Sequence, residues 1–309
     1  MATPPRFAIP GTYMITRRTL LRMFQLKPGP TANAILLYVL GLAATKYGIL
    51  IHVFIFLSTH GHLLVTDREG GKVSSFTQYL FSLTARALNC HRGRRENLWS
   101  TGKPNCVWVA PRARDIVEKI AYILCNAVLS GLVDRMNKWP GVKVTADDLG
   151  QLTITVKRPR IFFSKKMPEE ITFSTCLPEC EDASEEELIA RIRERCAELE
   201  QAKRSEMVDQ GRAFLGVKAI RAADPFDSAR SPDPLFELEP HMACKDPIQR
   251  VHLLRRLKRF RRENRTALTA FIAGDRQVVF PWGTLKMVHL FGCRCRGPDP
   301  NPTLGALAI

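Results

Sequence analysis

Three shortages narrow the reading of this 309-residue chain. Its nine cysteines include no C-x-x-C pair, which excludes zinc modules built on that spacing. No secretory signal precedes them, so we expect reduced thiols in a cytoplasmic, bacterial, nucleoid-associated protein. Acidic side chains are also scarce: 30 Asp and Glu stand against 46 Lys and Arg, leaving a net charge of +16. Such an excess favours polyanions, nucleic acid ahead of an anionic membrane. Finally, there is no long apolar run. Residues 32–44 are apolar enough, but Lys46, Tyr47 and Gly48 interrupt them, and residues 49–57 are too short and too β-branched to continue a span. A buried helix followed by a buried strand explains this stretch, and no membrane is expected as a partner. There is no internal repeat.

What is present is a pair of imidazoles at the end of an apolar run. Residues 49–66 read ILIHVFIFLSTHGHLLVT and carry His60 and His62. On a strand, side chains at i and i+2 share a face, so two ring nitrogens lie side by side, as neutral ligands for a divalent metal would. An isolated H-x-H is more often a chance pair at a strand edge. Gly61 between them is expected to weaken the strand and leave a packing gap, costing about 1 kcal/mol or more.

The pattern along the chain is α+β. Residues 1–10 contain three prolines and read as a flexible arm. A first strand follows at 12–18, then the breaker KPGP (27–30) and an apolar helix capped by Thr31 and ending near residues 47–48. Strands at 49–57 and 60–67 come next, then a helix at 73–88, the basic turn HRGRREN (91–97) and a strand at 106–110. A further helix opens at Asp115, with Glu118 placed for a capping box. The order β-α-β-β-α-β plus a helix predicts a ferredoxin-like, split βαβ sheet with one added helix. This domain is expected over 11–142.

Beyond it we expect a sheet extension and an amphipathic helix (143–223), in which QLTITV (151–156) and RIFF (160–163) form a hairpin or sheet extension. A Ser184–Glu187 capping box opens the helix. A Pro- and Asp-rich linker (224–246) and a mainly helical basic segment (247–309) complete the chain. Within the latter, residues 250–265 show Val251, Leu254, Leu257 and Phe260 as the apolar stripe, leaving a wide basic face.

The helix from Asp115 carries Tyr122 and Asn126 one turn apart on one face. A tyrosine can attack a phosphodiester and hold the broken strand covalently, while an amide oxygen can supply a third neutral metal ligand. Taken alone, such a pair reads as core and cap. Combined with THGHLLV (59–65), AYILCNAVLSGLV (121–133) and ENLW (96–99), however, the sequence resembles the single-tyrosine HUH transposases, specifically the REP-associated tyrosine transposase type. The resemblance covers roughly residues 11–142.

It implies Tyr122 as the catalytic nucleophile and His60, His62 and Asn126 as ligands of Mg²⁺ or Mn²⁺. It also implies single-stranded DNA with a palindromic hairpin as the substrate, cleaved and rejoined through a 5′-phosphotyrosine. Monomers and homodimers both occur among such enzymes. Independently of the resemblance, Arg17 and Arg18, the turn residues Arg92, Arg94 and Arg95, and the helix residues Arg255, Arg256 and Arg259 are candidate DNA contacts. Trp99, Trp108, Trp139 and Trp282 are stacking candidates that read more readily as core. The alternatives are a catalytically inactive, domesticated DNA-binding protein derived from such a transposase, and an RNA-binding module on the same sheet.

Overall fold

The computed structural model describes residues 8–230 and 240–297. The first domain runs β1 (Gly11–Arg18), α1 (Pro30–Tyr47), β2 (Leu50–Phe56), β3 (His60–Asp67), α2 (Lys72–Arg92), β4 (Asn105–Val109) and α3 (Ala113–Leu129). Strands β2, β3, β1 and β4 lie side by side in that order, all antiparallel. The two strands that flank the β2–β3 hairpin in sequence, β1 and β4, are therefore neighbours in space, which is the split βαβ arrangement. The chain is a mixed α and β protein, and no described helix is long and apolar enough to cross a membrane.

Local chemistry explains most boundaries, though not always the residues expected. Helix α1 starts at Pro30 behind Gly29 rather than at a Thr31 cap, since proline has no N–H to leave unpaired at the first helical position. It stops at Gly48, in the left-handed conformation with its N–H on Ala44 O. Helix α2 is started by Asp67 at the end of β3, whose carboxylate accepts from the backbone N–H of Gly70 and Val73, each at 2.9 Å. Helix α3 begins at Ala113, two residues before Asp115, and the expected Asp115–Glu118 capping box is absent. Asp182 supplies the cap instead, accepting from Ala113 N at 2.7 Å. Asp115 is buried and accepts from Lys245 N at 2.8 Å, while Glu118 pairs with Arg195 at 3.2 Å.

The rest of the chain packs onto this frame. β5 (Thr153–Lys157) pairs with β6 (Glu170–Ser174), so the partner of the 151–156 segment is EITFS and not RIFF. Helix α1 passes close to β6: a Cβ on Gly41 would sit 2.7 Å from the Phe173 ring, so only glycine allows the approach. The amphipathic helix α4 (Glu185–Asp209) has its expected Ser184–Glu187 capping box and buries Leu188, Ile192 and Cys196 in the common core beside α3.

A short helix α5 (Val217–Ala222) leads toward the expected linker, of which residues 231–239 lie outside the described residues. The described part is not a free linker. Residues 225–229 bond to the loop after β1, and β7 (Met242–Ala243) adds a parallel edge to β4. Residues 1–7 of the expected arm are likewise outside the description, but Ala8 and Ile9 are buried, and Ile9 N donates to the Tyr13 hydroxyl.

Helix α6 (Pro247–Ile272) is the basic helix. It buries Leu253, Leu257, Phe260 and Ala267, while Val251 and Leu254 of the expected stripe face solvent. Its end packs with β8 (Val279–Phe280), α7 (Leu285–Phe291) and β9 (Arg294–Cys295) around Phe280 and Cys293. All nine cysteines are free thiols. Trp99, Trp108 and Trp139 belong to the core.

Candidate active site

His60 and His62 occupy the start of β3, in the centre of the sheet between β1 and β2. The antiparallel register sets Thr16 of β1 directly opposite His62. Because directly opposed residues project to the same face, a hydroxyl arrives beside the imidazole without any local sequence signal. Thr16 Oγ1 lies 2.8 Å from His62 Nδ1. His60 has the same arrangement with its own chain neighbour, Thr59 Oγ1 standing 2.9 Å from His60 Nδ1. Each ring thus rests its Nδ1 on a threonine hydroxyl and turns the other nitrogen away from it.

Helix α3 crosses this face of the sheet. Asn126 is buried, and its Oδ1 lies 3.1 Å from His60 Nε2. Tyr122, one turn earlier, is the partly exposed member of the group, with 38% of its surface open. Its ring stands edge-on to His62 at 5.3 Å between centroids, and the two imidazoles are edge-on at 4.8 Å. The structure therefore brings together all four residues singled out as nucleophile and ligands. They come from one strand and one helix that are separated by α2 and β4 in the chain.

The electrostatics suit ligation. Burial pushes the His60 imidazole down to about 4, with the Asn126 contact opposing the shift and the charges of Arg18 and Arg22 adding to it. Burial, helped by neighbouring His60, also holds His62 well below its ordinary value. Both rings are neutral at physiological pH, the form that binds metal. His62 Nε2 is a buried ring nitrogen with no hydrogen-bond partner. Such an orphan is costly unless something else occupies its lone pair. Among the described residues, no three His, Cys, Asp or Glu side chains converge to hold a metal. A site here depends on the amide oxygen of Asn126 as the third donor, and the two imidazoles and the amide are chemically suited to a divalent ion.

Gly61 does not leave the expected gap. A Cβ there would come within 2.6 Å of the Phe56 ring, so the ring of Phe56 already fills the space beneath the strand. The glycine is required by its neighbour.

The candidate DNA contacts divide. Arg17 spends both terminal nitrogens on the carbonyls of Gly102 and Ser100, at 2.9 and 3.0 Å, and packs over Trp99. Arg92 donates to Gln25 O at 2.8 Å, and Arg94 pairs with Glu96. Arg18 is half-buried near His60, and Arg95 is exposed. On α6, Arg255 and Arg259 are exposed and Arg256 is partly covered.

The roles of Thr16 and Thr59 as partners of the imidazoles were not read from the sequence. Thr59 was adjacent to the motif and legible in principle; Thr16 required the register. A second buried histidine, His52, also went unread. It lies on β2 at a bulge, with Nδ1 2.8 Å from Cys176 O and Nε2 2.6 Å from Thr66 Oγ1.

No family model matches the chain, and no curated protein does. Among solved structures, it is similar to a REP-associated tyrosine transposase bound to a REP hairpin. That match has 21% identity and a TM-score of 0.39, and covers 48% of this chain and 85% of that one. It is also similar to a crystal structure from Deinococcus radiodurans R1 assigned provisionally as a transposase. Here the identity is 18% and the TM-score 0.29, with 38% of this chain and 93% of that one covered. Likeness at this level does not carry the chemistry, which rests on the side chains themselves.

Proposed function

We propose that this chain is a metal-dependent, single-strand DNA endonuclease and transposase of the single-tyrosine HUH kind. The observation that carries the reading is the convergence of His60 Nε2, the unpartnered His62 Nε2 and Asn126 Oδ1 beside the partly open ring of Tyr122. Two neutral imidazoles and an amide add no negative charge, so the full charge of a divalent ion held by His60, His62 and Asn126 would remain available to a phosphate. The chemistry supplied by Mg²⁺ or Mn²⁺ bound there is polarisation of the scissile phosphate.

The chain's own residues do the rest. With an ion held by the two Nε2 atoms, Thr16 and Thr59 would accept the Nδ1 protons and so fix which ring nitrogen faces the site. Tyr122 gives up its phenolic proton and its oxygen bonds to phosphorus. The bond from phosphorus to the 3′-oxygen breaks, and that oxygen takes up a proton and leaves as a 3′-hydroxyl. The product is a 5′-phosphotyrosine, which keeps the energy of the broken linkage so that a 3′-hydroxyl can attack and rejoin without ATP. The substrate is hairpin-bearing single-stranded DNA, steered by the net charge of +16. Arg18, Arg95, Arg255 and Arg259 contact its phosphates, while Arg17 and Arg92 shape the surface.

The test is a covalent-adduct assay with labelled hairpin-bearing single-stranded DNA and Mn²⁺. A denaturation-resistant complex that vanishes in Tyr122→Phe and with chelator is the expected result. Tight hairpin binding without any adduct would replace this reading with an inactive DNA-binding protein. An adduct that survives Tyr122→Phe would sink the assignment of the nucleophile.

A further inference from the structure

The loop after β1 carries backbone strain next to the candidate active site. Leu21 and Arg22 are consecutive non-glycine residues in the left-handed region, with φ of 52° and 55°. Each costs about 1 kcal/mol or more, and such strain gathers at ligand sites. Leu21 is 74% exposed, so its own packing repays none of it.

Three pieces of chain hold the loop in place. Thr19 N and Leu26 N donate to the carbonyls of Thr59 and Ser58, at 2.8 and 3.0 Å, tying it to the residues just before His60. Phe24 N and Gln25 Nε2 donate to Asp227 O and Pro225 O, at 2.9 and 2.6 Å. The end of α2 joins through Arg92.

Where these pieces meet there is an open pocket of about 350 Å³, lined by Met23, Arg92, Gly93, Arg94, Glu96 and Phe226. That volume falls in the range of small-ligand sites. Its walls combine two kinds of chemistry. Phe226 offers a ring that is 50% exposed, unusual for a phenylalanine with a cleft beneath it, and Met23 adds a soft, adaptable side chain.

Opposite stand two arginines with unmet donors. The Arg94 side chain is only 8% exposed, its guanidinium lies 5.9 Å from the Phe226 ring, and its Nη1 has no hydrogen-bond partner. Arg92 Nε is also unpartnered, although Asp224 lies close enough to act on its charge. Glu96 occupies the mouth, accepting from Arg94 Nε and Arg95 N at 3.3 Å each. An exposed flat ring beside under-satisfied guanidinium groups fits a ligand with an aromatic face and an anionic group.

We propose that this pocket holds one unpaired nucleotide of the DNA strand, with its base stacked on Phe226 and Met23 and its phosphate facing Arg94. The proposal rests on the reading of this chain as a single-strand DNA enzyme and adds a specific subsite to it. Glu96 is the placeholder: its carboxylate holds the guanidinium when no strand is bound and gives way to the phosphate. The Thr19 hydroxyl lies 2.7 Å from the carbonyl of pocket-lining Met23 and 2.9 Å from that of Thr59, the residue before His60. A nucleotide in the pocket therefore sits a short distance along the strand from the phosphate beside Tyr122.

The test is fluorescence anisotropy of the full chain with a labelled hairpin-bearing single strand at fixed, moderate salt. An abasic site is moved through the unpaired nucleotides in turn. One position is expected to weaken wild-type binding about tenfold, the worth of one stacked base. Phe226→Ala should lose a similar factor with the intact strand and nothing more with that abasic strand, while Phe226→Trp binds as wild type. Glu96→Gln should tighten binding by a few fold.

If no abasic position couples to Phe226 while the wild type binds the strand, the pocket proposal fails and the functional reading stands. If the wild type binds no single-stranded DNA, both fail. If a mononucleotide competes as tightly as the strand does, the pocket is a free-nucleotide site and the strand assignment is overturned. An unchanged circular dichroism spectrum of Phe226→Ala separates lost stacking from lost fold.

Discussion

The face of β3 beneath α3 and the outer face of α6 are both places where this protein is read as meeting DNA, and they are built on opposite terms. The first is interior chemistry. His60, His62 and Asn126 are largely withdrawn from solvent, each ring is held by a named hydroxyl, and only Tyr122 opens outward. The second is surface charge on one continuous helix, where Arg255 and Arg259 stand in water and nothing depends on ångström-level placement. The contrast teaches where fragility should lie. A substitution near the histidines disturbs a packed core, whereas one on α6 changes a field.

The largest expected effect lies in acid. His52, buried between Cys176 O and Thr66 Oγ1, has its imidazole pushed down to about 4 by burial. Between pH 6.5 and about 4 the unfolded chain takes up a proton that the folded chain refuses. Stability is therefore greatest above that window, falls as the pH is lowered through it, and loses on the order of 3 kcal/mol for this one group. Denaturant unfolding above and below the window, with His52→Gln beside the wild type, should show a shallower loss in the variant. Equal losses would mean that His52 is not the buried neutral group described, and the interior half of the contrast would weaken.

Next in size is Gly61→Ala. Its new methyl must displace the Phe56 ring, at about 1–3 kcal/mol of stability. Combining it with Phe56→Leu should recover part of the loss, and a simple sum of the two single effects would show that the contact is not the cause. The smallest effect on the fold is expected on α6. Arg255→Gln with Arg259→Gln should change unfolding free energy by less than about 0.5 kcal/mol for each. The same pair should lower the salt dependence of DNA binding by about two phosphate contacts, read as the slope of log affinity against log salt. An unchanged slope would remove α6 from the DNA surface.

Much of this architecture was legible because it follows from local rules. The strand–helix order over residues 11–129 follows from apolar periodicity and from breakers such as Gly48 and the KPGP segment. The Ser184–Glu187 capping box was readable because both partners sit within one turn. Failures came where the partner is remote. The expected Asp115–Glu118 box gave way to Asp182, whose approach depends on α4 docking beside α3. RIFF yielded to EITFS as the hairpin partner, since residues 160–163 fall in the connection between β5 and β6. Val251 and Leu254 looked like core on a helical wheel, but the packing of α6 selects Leu253 and Leu257. One hydrophobic core runs from the first sheet into α4 and reaches Leu253 of α6, contacts between segments that no local pattern announces.

Residue identity and spacing alone determined which atoms the candidate site can use: two imidazoles on one strand face, a tyrosine and an amide on one helical face, and a strongly basic surface. These are short-range consequences of strand and helix period. Only the tertiary structure decided that the two faces meet, that Thr16 steadies His62, that Phe56 makes Gly61 obligatory, and that Phe226 lies over Arg94 beside a strained loop. Each of those is a contact between residues far apart in the chain. Register and helix docking, which no local pattern encodes, set them all.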